Sequence, residues 1–217
     1  MFSRRKKSSD GSDDDAIDEG ASVDESAHPP LGPRDVAEVG DDGVARVDLG
    51  GLLVAPPEGV ELRLQADQTS GAVQSVMLAM TGSALELRVF AAPKSGGLWD
   101  EVRREIVAEA TKQGGTASET DGPHGTELRL QVPVKTAEGK AGRQLTRIVG
   151  VEGPRWFLRG TYLGKAAAEP DPDGPLERAF RDVVVVRGQD AMPPRDALPL
   201  RLPPDARPRQ PEANGSA

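Results

Sequence analysis

The residues best suited to bind a ligand or partner lie in one predicted hairpin, between positions 143 and 163. It contains four arginines and three aromatic residues: Arg143, Arg147, Arg155, Arg159, Trp156, Phe157 and Tyr162. A guanidinium group binds a carboxylate or phosphate through two hydrogen bonds, and an aromatic ring stacks on a nucleic-acid base. The pattern predicts a binding site for a partner or an anion, formed by Arg147, Arg155, Trp156 and Arg159.

The alternation of side chains in the same hairpin supports a second interpretation. Successive side chains of a strand point to opposite faces, so Trp156 and Tyr162 share one face and Arg155 and Arg159 share the other. On this interpretation the rings belong to the core and the arginines form a solvated basic edge. The residues alone leave both interpretations open.

Three Glu-Leu-Arg triplets, at 61–63, 86–88 and 127–129, indicate charge pairing in preference to catalysis. In each, we expect the leucine to face the core and the charged residues to face water. Opposite charges on neighbouring strands would then pair, at about a few tenths of a kcal/mol each. The alternative is a set of catalytic carboxylates.

The chain has few residues for imidazole or thiol chemistry, since it contains two histidines and no cysteine. There is no cysteine, which excludes disulfides, thiolate nucleophiles and cysteine-ligated metals. His124 lies in Asp121-Gly122-Pro123-His124-Gly125, whose composition predicts a turn, and no Gly-x-Ser-x-Gly nucleophile accompanies it. We expect no catalytic residue, no metal and no cofactor. The glycine-rich loops that bind ATP or dinucleotides are also missing.

Net charge and hydropathy indicate which kinds of partner and which cellular compartment to expect. The 217 residues include 27 Lys and Arg against 35 Asp and Glu, a formal net charge of −8. This charge repels phosphate backbones and disfavours duplex DNA. No apolar stretch is long enough to cross a bilayer or to form a signal peptide. We expect a cytoplasmic protein that does not contact a membrane.

Composition divides the chain into three parts. Residues 1–35 form an acidic tail that is predicted to be disordered, and it either solubilises the domain or docks to a basic partner. Residues 36–188 form a single domain, and residues 189–217 form a proline-rich extension. Within the extension, leucines recur between prolines from Leu198 to Pro203, so we expect this strip to pack on the domain.

Period-two alternation predicts strands over 60–66, 85–91 and 127–134, and a buried strand over 72–80. A hairpin is predicted over 144–151 and 155–163. Helices are predicted over 98–110, with Ser95 as a possible cap, and from Asp173 to Phe180, followed by a strand at 183–186. This order predicts an α+β domain: a mostly antiparallel sheet of about eight or nine strands with two helices on one side.

Five blocks in fixed order carry a resemblance to a known family: 121–125, 153–160, 180–188, 192–196 and 198–203. Together they resemble the actinobacterial domain of unknown function 3710, over roughly residues 36–204. The resemblance implies a small cytoplasmic protein with an acidic N-terminal tail and no assigned activity or site residues. The family's genes often lie near that of a dUTPase, which implies a weak link to nucleotide metabolism. The order of elements also resembles Mog1/PsbP-like α+β folds, an analogy of fold alone.

These observations predict a non-enzymatic module that binds another macromolecule. The expected surface is a sheet face or the hairpin edge with Trp156 and Arg159, together with one or both tails. The alternative is a protein that binds a nucleotide or another small anion, held by Arg147, Arg155 and Arg159.

Overall fold

A computed structural model describes residues 32–67, 69–135, 139 and 141–203. Most of the predicted acidic tail and the end of the predicted extension, residues 204–217, lie outside the described residues. The first described strand is formed by Arg34 and Asp35, which lie at the end of the segment predicted as a tail. In the part of the chain described, no helix has the length and hydropathy needed to cross a bilayer.

The described residues form eleven strands and three α-helices. The strands are β1 Arg34–Asp35, β2 Val47–Asp48, β3 Leu52–Val54, β4 Glu61–Ala66, β5 Val73–Met80, β6 Ser83–Ala91, β7 Thr116–Gly122, β8 Gly125–Lys135, β9 Ala141–Gly153, β10 Trp156–Gly164 and β11 Val184–Val185. The helices are α1 Leu98–Lys112, α2 Lys165–Ala168 and α3 Pro175–Arg181.

The strands divide into two sheets. The large sheet has seven antiparallel strands in the order β4-β5-β6-β10-β9-β8-β7. The small sheet has the order β1-β11-β3-β2, in which β1 runs parallel to β11 and the other pairs are antiparallel. The predicted α+β class and its mostly antiparallel strands are confirmed.

Both faces of the large sheet carry large apolar residues, and a different layer packs on each. On one face Leu158 and Tyr162 pack with Phe180 of α3 and with Leu52 of the small sheet; we call it the small-sheet face. On the other face Phe157 packs with α1; we call it the α1 face. The expected placement of both helices on one side is corrected here, because β10 carries large apolar residues on both of its faces and each set needs a cover.

The N-terminus of α1 is held by the large sheet. The predicted cap, Ser95, is not used: the helix begins after Gly97, whose φ is 85° and whose side chain offers no acceptor. Instead the Glu152 carboxylate on β9 accepts hydrogen bonds from the backbone N–H groups of Gly97, at 2.8 Å, and Trp99. A carboxylate at this end also complements the helix dipole. Gly150 lies beneath the Trp99 ring, where a Cβ atom would overlap it.

The segment after β11 returns along both sheets. Leu198 is 2% exposed, and its N–H donates to the Val89 carbonyl at 3.0 Å. The Pro199 carbonyl accepts from Gly51 at 3.0 Å, and the Arg201 N–H donates to Leu49 at 2.9 Å. The leucine-proline strip therefore connects the large sheet to the small one.

Candidate functional site

The structure separates the four residues of the predicted site. Arg147 and Trp156 lie on the small-sheet face, and Trp156 is 2% exposed, with its Nε1 donating to the Asp35 carboxylate at 2.8 Å. Arg159 lies on the α1 face. Arg155 occupies the turn between β9 and β10 with a φ of 62°, and its guanidinium donates to the Gly188 carbonyl at 3.1 Å. A surface that presents Trp156 beside Arg159 does not form, because the two point to opposite faces.

Arg147 is the centre of a buried ionic cluster, which we call the Arg147 cluster. Its side chain is 2% exposed. It donates to both carboxylate oxygens of Glu127, at 2.6 and 2.8 Å, and also to the Glu177 carboxylate. The guanidinium carbon lies 4.6 Å from the centre of the Tyr162 ring. Two carboxylates and one ring therefore surround this cation.

Three elements supply the members of the cluster. Glu127 follows the β7–β8 turn, and Gly122 across that turn leaves room for its carboxylate, where a Cβ atom would overlap it. Arg147 pairs with Tyr162 in the β9–β10 register, so both point to the same face. Glu177 comes from α3, which is packed over that face by its apolar residues.

Tyr162 and His124 complete the surroundings of Glu177. The Tyr162 hydroxyl donates to Glu177 at 3.1 Å, and His124 Nε2 lies 3.6 Å from the same carboxylate oxygen. The His124 side chain is 2% exposed and stands edge-on to Phe180. The predicted turn at this position is present, but the imidazole lies inside the protein, beside the ionic cluster.

The cluster changes the proton affinities of its members. Burial favours neutral Glu177, but the contacts with His124 and Arg147 outweigh burial and lower the pKa of this carboxyl. Burial similarly opposes the charge on Arg147, yet the hydrogen bonds from its guanidinium to Glu127 and Glu177 raise its pKa. Burial, together with the charge of Glu177, raises the pKa of the Tyr162 hydroxyl. Arg147 and Glu177 therefore stay ionised at neutral pH, each against an opposite charge.

A pocket of about 200 Å³ opens beside this cluster, between β10 and the two short helices. Tyr162 and Glu177 reach its wall, and Ser83, Lys165 and Asp171 contribute to the rest of its lining. The Tyr162 hydroxyl at its wall donates to the Glu177 carboxylate, which also accepts from Arg147, so both groups already have partners. The geometry fits a structural cluster that fixes α3 on the sheet.

The Glu-Leu-Arg triplets do not all behave as the sequence predicts. Glu127 is 3% exposed, in place of the expected solvated position. Arg88 bonds Glu86 on its own strand, at 3.0 Å, and not a charge on the neighbouring strand. The sequence analysis does not predict a role for Glu177. Its position on α3, close to the apolar residues Leu176, Ala179 and Phe180, could have indicated one, since an acid among core residues needs a buried partner.

The α1 face is covered over only part of its width. Helix α1 packs against β7, β8 and β9. Beyond it, on β4, β5 and β6, this face carries half-buried or exposed side chains, which we call the open strip: Glu61, Arg63, Met77, Ala79, Glu86 and Arg88. Met77 on β5 lies directly between Arg63 on β4 and Glu86 on β6, its partners on the two neighbouring strands. The strip thus combines both charge signs with half-buried apolar side chains.

A cleft of about 220 Å³ lies where α1 meets the open strip. Its apolar lining comes from the sheet and from the helix: Phe90, Phe157, Leu98, Val102 and Ile106. Arg159 enters from β10, with its guanidinium carbon 5.8 Å from the centre of the Phe90 ring. We call this feature the Arg159 cleft.

Arg159 differs from Arg147 in having no salt bridge among the described residues. Its Nε atom is buried and has no hydrogen-bond partner among the described residues. In the β10–β6 register Arg159 lies opposite Arg88, a like charge. Burial first, and then the charge of Arg88, lower the pKa of Arg159. The charge of Glu86 offsets only part of this effect, so the guanidinium is partly desolvated and has no salt bridge among the described residues.

The rim of the Arg159 cleft contains a strained residue. Arg195 has a φ of 76°, in the left-handed region that non-glycine residues seldom adopt. Its backbone N–H donates to the Ala91 carbonyl at 2.8 Å, and its guanidinium bonds Glu105 and Glu101 on α1, each at 2.9 Å. These bonds tie the C-terminal segment to α1 across the mouth of the cleft. Backbone strain of this kind is concentrated at functional sites.

The fold and this site define a two-sheet α+β protein with a cationic, apolar-walled cleft. The family model described as "Protein of unknown function (DUF3710)" matches residues 32–209. The chain therefore belongs to this family, as its sequence blocks indicate. No curated protein matches the sequence.

Proposed function

We propose that the protein is a cytoplasmic, non-enzymatic module that binds another protein through the open strip of the large sheet. The observation that carries this proposal is the apolar surface of Met77 and Ala79, which are only half-buried and lie between charges of both signs. An interface typically has a desolvated apolar centre inside a polar rim. The strip has this composition on a rigid seven-stranded sheet.

The charges of the strip favour a protein over a nucleic acid. Arg63 and Arg88 each bond a glutamate on their own strand. These arginines are already neutralised, and the chain as a whole carries −8. A duplex would find no concentrated positive patch here, whereas a protein partner with mixed charges can pair with both signs.

The alternative function, binding of an anion by Arg147, Arg155 and Arg159 together, has less support from the geometry than binding of a protein. Arg147 is occupied by two carboxylates, and Arg155 bonds a backbone carbonyl. Arg159 is the member of that set that faces an open space.

Affinity capture from nuclease-treated native lysate, with the full chain as bait, tests the proposal. The partner is then purified, and its Kd is measured for the wild type, Met77→Glu and Arg63→Glu. We expect both variants to weaken binding by at least about tenfold, because they place a like or unpaired charge in the interface. Leu202→Glu is the matched control, since Leu202 is 54% exposed and lies outside the strip.

Circular dichroism verifies that each variant is folded before its binding is interpreted. Arg63 is exposed, so Arg63→Glu remains informative if Met77→Glu unfolds the domain. Equal affinity for the wild type, Met77→Glu and Arg63→Glu would show that the partner binds elsewhere. Failure of the full chain to retain any stoichiometric protein would contradict the proposed role.

A further inference from the structure

The Arg159 cleft places a cation in apolar surroundings, with no salt bridge and no acceptor for its buried Nε among the described residues. A buried charge without a partner is costly, and proteins ordinarily pair it or neutralise it. An arginine keeps its proton even where burial lowers its pKa, so neutralisation by proton loss is not available to Arg159. An anion that enters the cleft would supply the missing charge and an acceptor for the buried Nε.

The charges at the mouth of the cleft restrict that anion to a single negative charge. Arg195 lies at the rim, but Glu101 and Glu105 already neutralise it. These glutamates would repel a dianion, such as a phosphate monoester, more strongly than a monoanion. A planar carboxylate matches the guanidinium fork and carries one charge.

The walls of the cleft specify the rest of the ligand. Phe90 and Phe157 are stacked, with ring centres 6.0 Å apart, and they line the sheet side. Leu98, Val102 and Ile106 line the helix side. The volume of about 220 Å³ exceeds the roughly 150 Å³ of an apolar cavity that holds benzene. One ring or branched alkyl group with a short arm therefore fits.

The geometry points to the Arg159 cleft as a binding site for a monocarboxylate carried on an apolar body. The carboxylate pairs with Arg159, and the apolar group lies between α1 and the two phenylalanine rings. Two sources offer this chemistry: a free aryl or branched-chain carboxylic acid, and the C-terminal residue of a peptide chain. The proposal goes beyond the partner-binding role and does not depend on it, because the cleft residues are outside the open strip.

The test is a titration of the full chain, followed by isothermal calorimetry and by NMR of the two tryptophan indole N–H groups. The probes are 3-phenylpropionate, its neutral amide, phenyl phosphate, and the peptide N-acetyl-Ala-Ala-Phe with a free or an amidated C-terminus. Trp99 packs on Phe157, with ring centres 5.7 Å apart, whereas Trp156 lies on the opposite face of the sheet. A ligand in the cleft therefore shifts the Trp99 signal and leaves the Trp156 signal in place.

We expect saturable binding of 3-phenylpropionate or of the free-acid peptide, and the tighter of the two identifies the source. The amide, the amidated peptide and phenyl phosphate should bind at least about tenfold more weakly. Arg159→Gln should weaken the acid by roughly tenfold to a hundredfold, as expected for loss of a charged hydrogen-bonding group. Arg143→Gln is the matched control, because Arg143 is an exposed arginine on β9 that does not line the cleft.

Three results would overturn the inference. The first is equal binding of the acid and its amide. The second is unchanged affinity in Arg159→Gln, with the fold verified by circular dichroism. The third is no saturation by either acid at millimolar concentration. Partner capture is measured separately on variants of the open strip, so failure of one proposal is distinguishable from failure of the other.

Discussion

Two partly or fully buried arginines on neighbouring strands of the large sheet differ in whether a carboxylate balances their charge. Arg147 on β9 and Arg159 on β10 both point into apolar surroundings, and each lies over an aromatic ring. Arg147 has two carboxylates against it, whereas Arg159 has a buried Nε without an acceptor among the described residues. The pKa of Arg147 is raised and that of Arg159 is lowered. Arg147, with its two salt bridges, supports the fold, whereas Arg159, which has no salt bridge among the described residues, is the arginine we propose for ligand binding.

The largest effect is expected from Arg147→Met. It leaves Glu127 and Glu177 buried without their cation, and breaking a buried ionic cluster in this way costs about 3–5 kcal/mol. Urea denaturation followed by tryptophan fluorescence measures the free energy of unfolding. Arg143→Met, at an exposed position of the same strand, should change it by less than about 0.5 kcal/mol. Similar losses in both variants would remove the distinction drawn for Arg147.

The next effect is a dependence on pH that comes from Glu177. Its pKa is lowered in the folded state, so its ionisation stabilises the fold above its ordinary pKa of 4.5. That stabilisation is lost as the pH falls below 4.5 and through the folded-state value. We expect Glu177→Gln to cost about 2 kcal/mol at pH 7. The difference from the wild type should shrink below pH 4.5, by at most about 1.4 kcal/mol per pH unit.

Denaturation of both proteins at pH 7, 5, 4 and 3 measures this difference. Glu169→Gln serves as the control, because the Glu169 side chain is 74% exposed. A gap between the wild type and Glu177→Gln that stays constant, or widens, as the pH falls would contradict the assigned role.

A smaller effect is expected from Tyr162→Phe. The ring remains over Arg147, and the change removes only the hydroxyl that bonds Glu177 at 3.1 Å. Glu177 retains its bond to Arg147, so the loss should be about 1 kcal/mol. Chemical denaturation at pH 7 measures it. A loss as large as that of Arg147→Met would mean that the hydroxyl, and not the guanidinium, organises the cluster.

The smallest effect on stability is expected from Arg159→Met. Replacing an uncompensated, partly buried charge by an apolar group of similar length is neutral or stabilising, within about 1 kcal/mol. The same denaturation experiment measures it, and comparison with Arg147→Met gives the sharpest contrast between the two faces. A loss above about 2 kcal/mol would show that Arg159 has a structural role.

The sequence predicted the large sheet better than the site. Alternation along β6 and β10 is a local property, so the strands and their hairpin were predictable, as was α1 from its apolar stripe. The layers that cover the two faces of the large sheet were harder to predict, because the packing of Phe157 against α1 and of Phe180 against β10 depends on contacts between distant segments. Glu127 resembled the other Glu-Leu-Arg acids, and only the tertiary position of Arg147 distinguishes it. The very short strands β1, β2 and β3 carry too few residues for any periodicity, whereas β11 lies within the strand predicted at 183–186.

The connectivity of the small sheet has a consequence for synthesis on the ribosome. The large sheet is complete once Gly164 has been made. The small sheet needs β11, because β1 and β3 both pair with Val184 and Val185. A nascent chain therefore presents the unprotected small-sheet face, including Leu158 and Tyr162, until translation has passed residue 185. Over that interval the uncovered apolar face makes the nascent chain prone to aggregation.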